Sequence, residues 1–255
     1  EKAGWIPMNL TCVVILVAPL LFFGPTLMVP VKVAPLSTST KKIWHDVKFL
    51  LINFMYLVAT GSMYGYVPYL QLWFFDTFGT SKMVYGFLTM GLVLLTFMPA
   101  AGVTPMLEAS IGTLNALVLG FVLFGFGFFL IGPAPFLPFL PSTGTNGFCL
   151  AVLGWVFVLL GNAIVVIAIP GRAMKYATDY GVSEDDAASQ SASVGIGIMA
   201  LGMLISPVVG GFGADAVGVP AINMLFGFTT LCFPAIPLYF LFRLEKPFAK
   251  SVELV

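Results

Sequence analysis

Residues 148–170 read FCLAVLGWVFVLLGNAIVVIAIP, and residues 171–175 read GRAMK. No charged side chain occurs in the first stretch, and Arg172 and Lys175 follow directly after it. A helix rises about 1.5 Å per residue and needs about 20 apolar residues to cross a hydrocarbon core roughly 30 Å thick. Apolar and polar residues do not alternate here, so the pattern is not that of a half-buried strand. In lipid, an isolated segment can satisfy its own backbone N–H and C=O groups only as a helix.

Six more runs read the same way, at 8–31, 49–75, 83–107, 111–133, 193–214 and 220–242. The first is too long for the apolar core of a signal peptide and is read as a spanning helix. Pro19, Pro25, Pro68, Pro99, Pro207 and Pro234 fall inside these runs. They would break helices in water, but a membrane bundle tolerates them as kinks. The whole 255-residue chain is 59% hydrophobic and 9% charged, with a mean hydropathy of +1.03. A soluble domain carries about a quarter charged residues, so a water-facing fold is excluded. Zero formal net charge gives no case for nucleic-acid binding. Cys12, Cys149 and Cys232 each sit alone in apolar surroundings, and His45 lies in a basic loop, so neither a zinc site nor another cofactor is expected. There is no Ser/His/Asp or Cys/His set and no phosphate loop, and an enzyme is not expected.

The connections set the topology. Lys32, Lys41, Lys42 and Lys48, then Arg172 and Lys175, then Arg243, Lys246 and Lys250 all fall on one face if seven spans alternate. Only Lys2 and Lys82 fall on the other. The positive-inside rule makes the first face cytoplasmic, or matrix or stromal in an organelle. The chain is thus expected to be an integral, multi-pass membrane protein with a cytoplasmic C-terminus. The opposite loop, 133–147, is proline-rich and uncharged, a stiff cap over the bundle. Ser183 before Glu184, Asp185 and Asp186 fits a helix N-cap followed by an acidic first turn.

Seven spans match a rhodopsin-like receptor in number alone. No Asp-Arg-Tyr ends the third span, the last span has no lysine, and no pair of far-side cysteines exists. The longest early polar stretch, 32–48, instead divides the chain into one span and six. Three stretches in the six-span part carry a resemblance: Tyr64-Gly-Tyr-Val-Pro-Tyr-Leu70, Phe129-Leu-Ile-Gly-Pro-Ala-Pro135 and Gly202-Met-Leu-Ile-Ser-Pro-Val-Val-Gly-Gly211. From Lys41 onward the chain resembles the C-terminal half of a major facilitator superfamily transporter, nearest the vesicular amine transporters and their orphan relatives. The resemblance implies an all-α membrane fold of seven transmembrane helices: the sixth helix plus the C-terminal six-helix half, a 3+3 inverted repeat. The corresponding divisions are 1–31 for the first helix, 32–48 for the central loop, 49–243 for the six-helix half and 244–255 for a cytoplasmic tail.

Asn53, Thr60, Tyr64 and Gln71 are spaced seven, four and seven apart and fall along one helical face. Polar groups in hydrocarbon look into protein or a wet cavity. The face therefore either lines a cavity or makes interhelical hydrogen bonds, and the resemblance implies the substrate path. Asn162 is placed at the same path. Tyr66 and Tyr69 equally fit an interfacial aromatic belt. Gly202, Pro207, Gly210 and Gly211, with Gly195, Gly197 and Gly213, crowd one span. Small residues let helices approach closely, and the resemblance implies that this span gates.

The chain departs from the resembled family in two ways. Val67 stands before Pro68 where an acid is expected, and neither 161–168 nor 194–206 holds a carboxylate. The connection after the third span keeps Glu108 but has no Arg or Lys across 109–119. Two functions remain. One is transport of a small organic solute by alternating access, which needs a second six-helix body: an N-terminal half or a second copy. The other is a transport-inactive, transporter-derived subunit of a larger membrane complex.

Overall fold

The computed structural model describes residues 43–132 and 140–245. The first expected span at 8–31, Cys12, Lys2, Lys32, Lys41, Lys42, most of the 32–48 loop, residues 133–139 of the proline-rich cap and the tail from 246 with Lys246 and Lys250 lie outside the described residues.

The other six spans are six helices: α1 Val47–Phe78, α2 Lys82–Ile111, α3 Thr113–Leu130, α4 Gly144–Asp179, α5 Glu184–Val217 and α6 Val219–Glu245. All six are long and apolar enough to cross a membrane, and no strand occurs among the described residues. The chain is a multi-pass integral membrane protein. Pro68, Pro99, Pro207 and Pro234 all lie inside helices, as the lipid setting allows. Most helices run past the expected ends, because the backbone stays helical beyond the hydrocarbon. At 36 residues, α4 is about 54 Å long, well over the core thickness. The Ser183 cap is present: its hydroxyl accepts from the Asp186 amide at 3.3 Å. Two connections shrink to a single glycine, Gly112 and Gly218, each with φ near +85°. That left-handed backbone is open to glycine at little steric cost.

The helices form two layers. α5, α1, α4 and α2 make one row in that order, and α6 and α3 pack behind it, α6 on α1 and α3 on α4. Adding or subtracting three from every helix number turns each substantial contact into itself or another of the set: α1–α5 becomes α4–α2, α3–α4 becomes α6–α1, and α1–α4 and α3–α6 are unchanged.

Glycines set the closest approaches and reveal direction. Gly127 meets Gly154, and Gly120 meets Gly161, so α3 and α4 are antiparallel. Gly202 meets Thr60, and Gly210 meets Gly65, so α1 and α5 are parallel. Tyr69 pairs with Asn223 while Gly65 packs on Phe226, so α1 and α6 are antiparallel. Alternating spans require all three relations. The alternation puts Lys48, Arg172, Lys175 and Arg243 at one end and Lys82 at the other. In a background without the native cysteines, Lys82→Cys and Lys175→Cys should react with a membrane-impermeant maleimide from opposite sides of sealed vesicles. Labelling from the same side would overturn the alternation.

Candidate functional site

The polar face of α1 runs from a buried seam to an open surface. Asn53 and Thr60 are buried, and both bond back into their own helix: Asn53 Nδ2 donates to the Phe49 carbonyl at 2.7 Å, and Thr60 Oγ1 to the Tyr56 carbonyl at 2.9 Å. Tyr64 is half-buried and Gln71 exposed. Asn162 is buried on α4, one heptad from Trp155, and its Oδ1 has no hydrogen-bond partner. An orphaned polar atom at such a depth costs roughly 1–3 kcal/mol.

The small-residue span meets α1 along one line. Gly202, Ser206 and Gly210 recur every four residues and face Thr60, Gly61 and Gly65. A methyl group placed on Gly202 would sit 3.1 Å from Thr60 Oγ1, and one on Gly61 would sit 3.2 Å from Ser206 Oγ. Gly202 and Gly210 are buried in this seam. Pro207 and Gly211 lie beside it, half-buried, and Gly211 faces open space. Thr60 therefore joins Gly202 and Gly210 in one contact, whereas Tyr64 and Gln71 look out of the bundle.

Four residues outside that polar face hold the centre together. Trp155 Nε1 donates to the Tyr66 hydroxyl at 3.0 Å, joining α4 to α1. Tyr69 donates to Asn223 Oδ1 at 2.7 Å, and Asn223 Nδ2 donates to the Ile131 carbonyl at 2.6 Å, joining α1, α6 and the end of α3. Tyr66 and Tyr69 are thus buried interhelical donors and acceptors, not belt aromatics. Asn223 sits four residues into an apolar run, and a lone amide in such a run was the signal for it.

The two ends differ in chemistry. At one end, Trp73, Phe74, Phe78, Tyr85, Phe148 and Trp155 form a chain of edge-on and stacked rings. At the other, Arg172 pairs with Glu245, Tyr176 donates to the same carboxylate, and the guanidinium lies 4.9 Å from the Tyr176 ring. Lys48 Nζ approaches that ring at 6.0 Å. A cavity of about 600 Å³ opens here, lined by Lys48, Arg172, Lys175, Tyr176, Asp179 and Glu245. Comparison with family models, curated proteins and solved structures finds no match to this chain. No cluster of three or more His, Cys, Asp or Glu side chains fit to hold a metal occurs among the described residues.

Proposed function

We propose that this chain supplies the C-terminal half of an alternating-access transporter for a small organic solute, of the major facilitator type. The supporting observation is the packing scheme, which repeats when every helix number moves by three. A repeat of three spans is inverted in the membrane, because an odd count reverses the next unit. Inverted repeats with a site near the midplane are the architecture of many transporters. The glycine seam between α1 and α5 fits a helix pair that must slide, and the half-open face of Tyr64 and Gln71 fits one wall of a path. Asn162 is an unused hydrogen-bonding group at membrane depth. A second six-helix body, as an N-terminal half, a second copy or part of a larger membrane complex, supplies the facing wall. The basic end is taken as cytoplasmic.

Uptake into proteoliposomes containing the folded chain together with its second six-helix body tests this reading, with organic cations, anions and sugars offered separately. No flux of any class retires it. Asn162→Leu sharpens the test. Removing an orphaned amide should leave unfolding stability unchanged or raise it by about 1 kcal/mol. The same change should lower uptake severalfold. A loss of stability above about 1 kcal/mol would instead show that the amide has a structural partner.

A second reading, a transport-inactive subunit of a larger membrane complex, is favoured by one observation. Among the described residues, Asp76, Glu108 and Asp215 lie near helix ends and none lies mid-span. Proton-driven pumps commonly place a carboxylate within the membrane. Co-purification with a large membrane complex at fixed stoichiometry, together with no flux, would select this reading.

A further inference from the structure

The basic end has more cationic groups than its internal pairing uses. Glu245 is taken up by Arg172 and by the Tyr176 hydroxyl. Arg172 Nε remains buried with no hydrogen-bond partner among the described residues. Lys48 and Lys175 form no salt bridge among the described residues, although both line the cavity. In the lining of this cavity three cations thus face two carboxylates, one already paired and the other, Asp179, exposed, while Glu108 lines the neighbouring cavity with Arg172 and Lys175. A guanidinium, two ammonium groups and a cavity of about 600 Å³ describe a receptor for a tetrahedral anion.

Position narrows the source of that anion. The cavity lies where α1 begins and where α4 and α6 end. Since α4 is about 24 Å longer than the hydrocarbon core, its last turns reach headgroup level. Basic pockets between transmembrane helices at that depth bind anionic headgroups. We propose that this cavity holds the phosphate of an anionic headgroup, with the Lys48 and Lys175 ammonium groups as its donors and the Arg172 guanidinium beside them. The lysines supply the contacts, and Arg172, fixed by Glu245, adds positive potential. This proposal does not depend on the transport reading.

The test uses the full chain in detergent, titrated separately with phosphatidic acid, phosphatidylcholine of the same acyl chains, glycerol 3-phosphate and inorganic phosphate. Bound lipid is read by native mass spectrometry, and stabilisation by the thermal midpoint. Phosphatidic acid should bind and raise the midpoint, and phosphatidylcholine should not. Lys48→Gln and Lys175→Gln should each weaken phosphatidic acid binding about fivefold, and the pair roughly 25-fold. Lys82→Gln, at the opposite end, should leave it unchanged. None of these changes touches the Arg172–Glu245 pair, so the midpoint without lipid should stay put. Lys175→Gln alone, at an exposed position, carries the test should the double variant fold poorly. Equal binding of both lipids, or equal weakening by Lys82→Gln, overturns the proposal. Glycerol 3-phosphate or inorganic phosphate matching phosphatidic acid, with the same loss on Lys175→Gln, supports the phosphate site and makes the source soluble.

Discussion

A single methyl group at position 210 is expected to destabilise the bundle by about 3 kcal/mol or more, while the same group at position 211 leaves stability unchanged or raises it. The two glycines are neighbours in sequence and differ only in what they face. A Cβ on Gly210 overlaps the carbonyl group of Gly65 on α1. That obstacle is backbone, so no side chain can rotate away and the helices themselves must separate. Separation also opens the contacts of Gly202 with Thr60 and of Gly61 with Ser206. In lipid, these contacts stabilise association by dispersion between close backbones, since hydrocarbon competes equally for any larger apolar side chain. A Cβ on Gly211 meets nothing within 4 Å. There the change only improves helix propensity, by up to about 1 kcal/mol. Denaturant unfolding of Gly210→Ala and Gly211→Ala in one detergent, followed by circular dichroism, compares them directly. Equal midpoints would show that α1 and α5 do not approach as closely as described.

Much of this architecture was legible because the bilayer leaves a chain few options. Six of the expected spans are the six helices, and their order, alternation and basic end followed from apolar length and from Lys48, Arg172, Lys175 and Arg243. Ser183 was readable as a cap because an N-cap hydroxyl followed by acidic residues satisfies the first free amides. The glycine-rich character of α5 was readable too, but not which glycines matter. Gly202 and Gly210 sit in the seam and Gly211 does not, because a helix presents only one line of residues to one neighbour. Composition cannot say where that line falls. The polar face of α1 shows the same limit. Its spacing placed Asn53, Thr60, Tyr64 and Gln71 in a row, yet the row crosses from a contact with α5 to open surface. Tyr66 and Tyr69 lie on the inward side, and their roles needed partners more than 80 residues away in sequence, Trp155 at a separation of 89 and Asn223 at 154.

The scheme of contacts accounts for where closeness is required. In both strongest pairs, α3 with α4 and α1 with α5, glycines face each other across the line of contact. Gly120 and Gly127 are one heptad apart, as are Gly154 and Gly161, and the two pairs meet in reverse order. Bulky groups fill the remaining space. Phe124, Phe128 and Phe226 lie between α3, α6 and α1, with Phe128 against Tyr66 at 5.3 Å between ring centroids. Close backbone seams joined by aromatic wedges make a closely packed body. That is the property a rocking half of a transporter needs, and a static subunit would share it. Only flux separates the two readings.

Asn223→Leu is expected to cost about 2–3 kcal/mol, a large effect for one neutral side chain in a membrane bundle. Interhelical hydrogen bonds in such bundles average about 0.6 kcal/mol, with values up to about 1.7. The average is low because a freed group usually finds another partner. Here the freed groups have none at hand. Asn223 is fully buried, and it satisfies the Tyr69 hydroxyl and the Ile131 carbonyl together. Ile131 ends α3 and Gly132 follows at φ 70°, packed against Trp73, so the carbonyl is held where it is. Leucine keeps the branching and the number of heavy atoms, so the cost combines the two unmet groups with the extra bulk of two methyls where partners stand at 2.6–2.7 Å. Tyr69→Phe alone should cost about 1 kcal/mol, because only one bond is lost and the amide keeps Ile131. The double variant should then be more stable than the sum of the single effects predicts, by about 1 kcal/mol, since removing both partners leaves fewer orphaned groups. Strict additivity in that cycle would mean that Tyr69 and Asn223 are not bonded. A cost for Asn223→Leu below about 0.5 kcal/mol would mean that the junction of α1, α3 and α6 is held by shape alone.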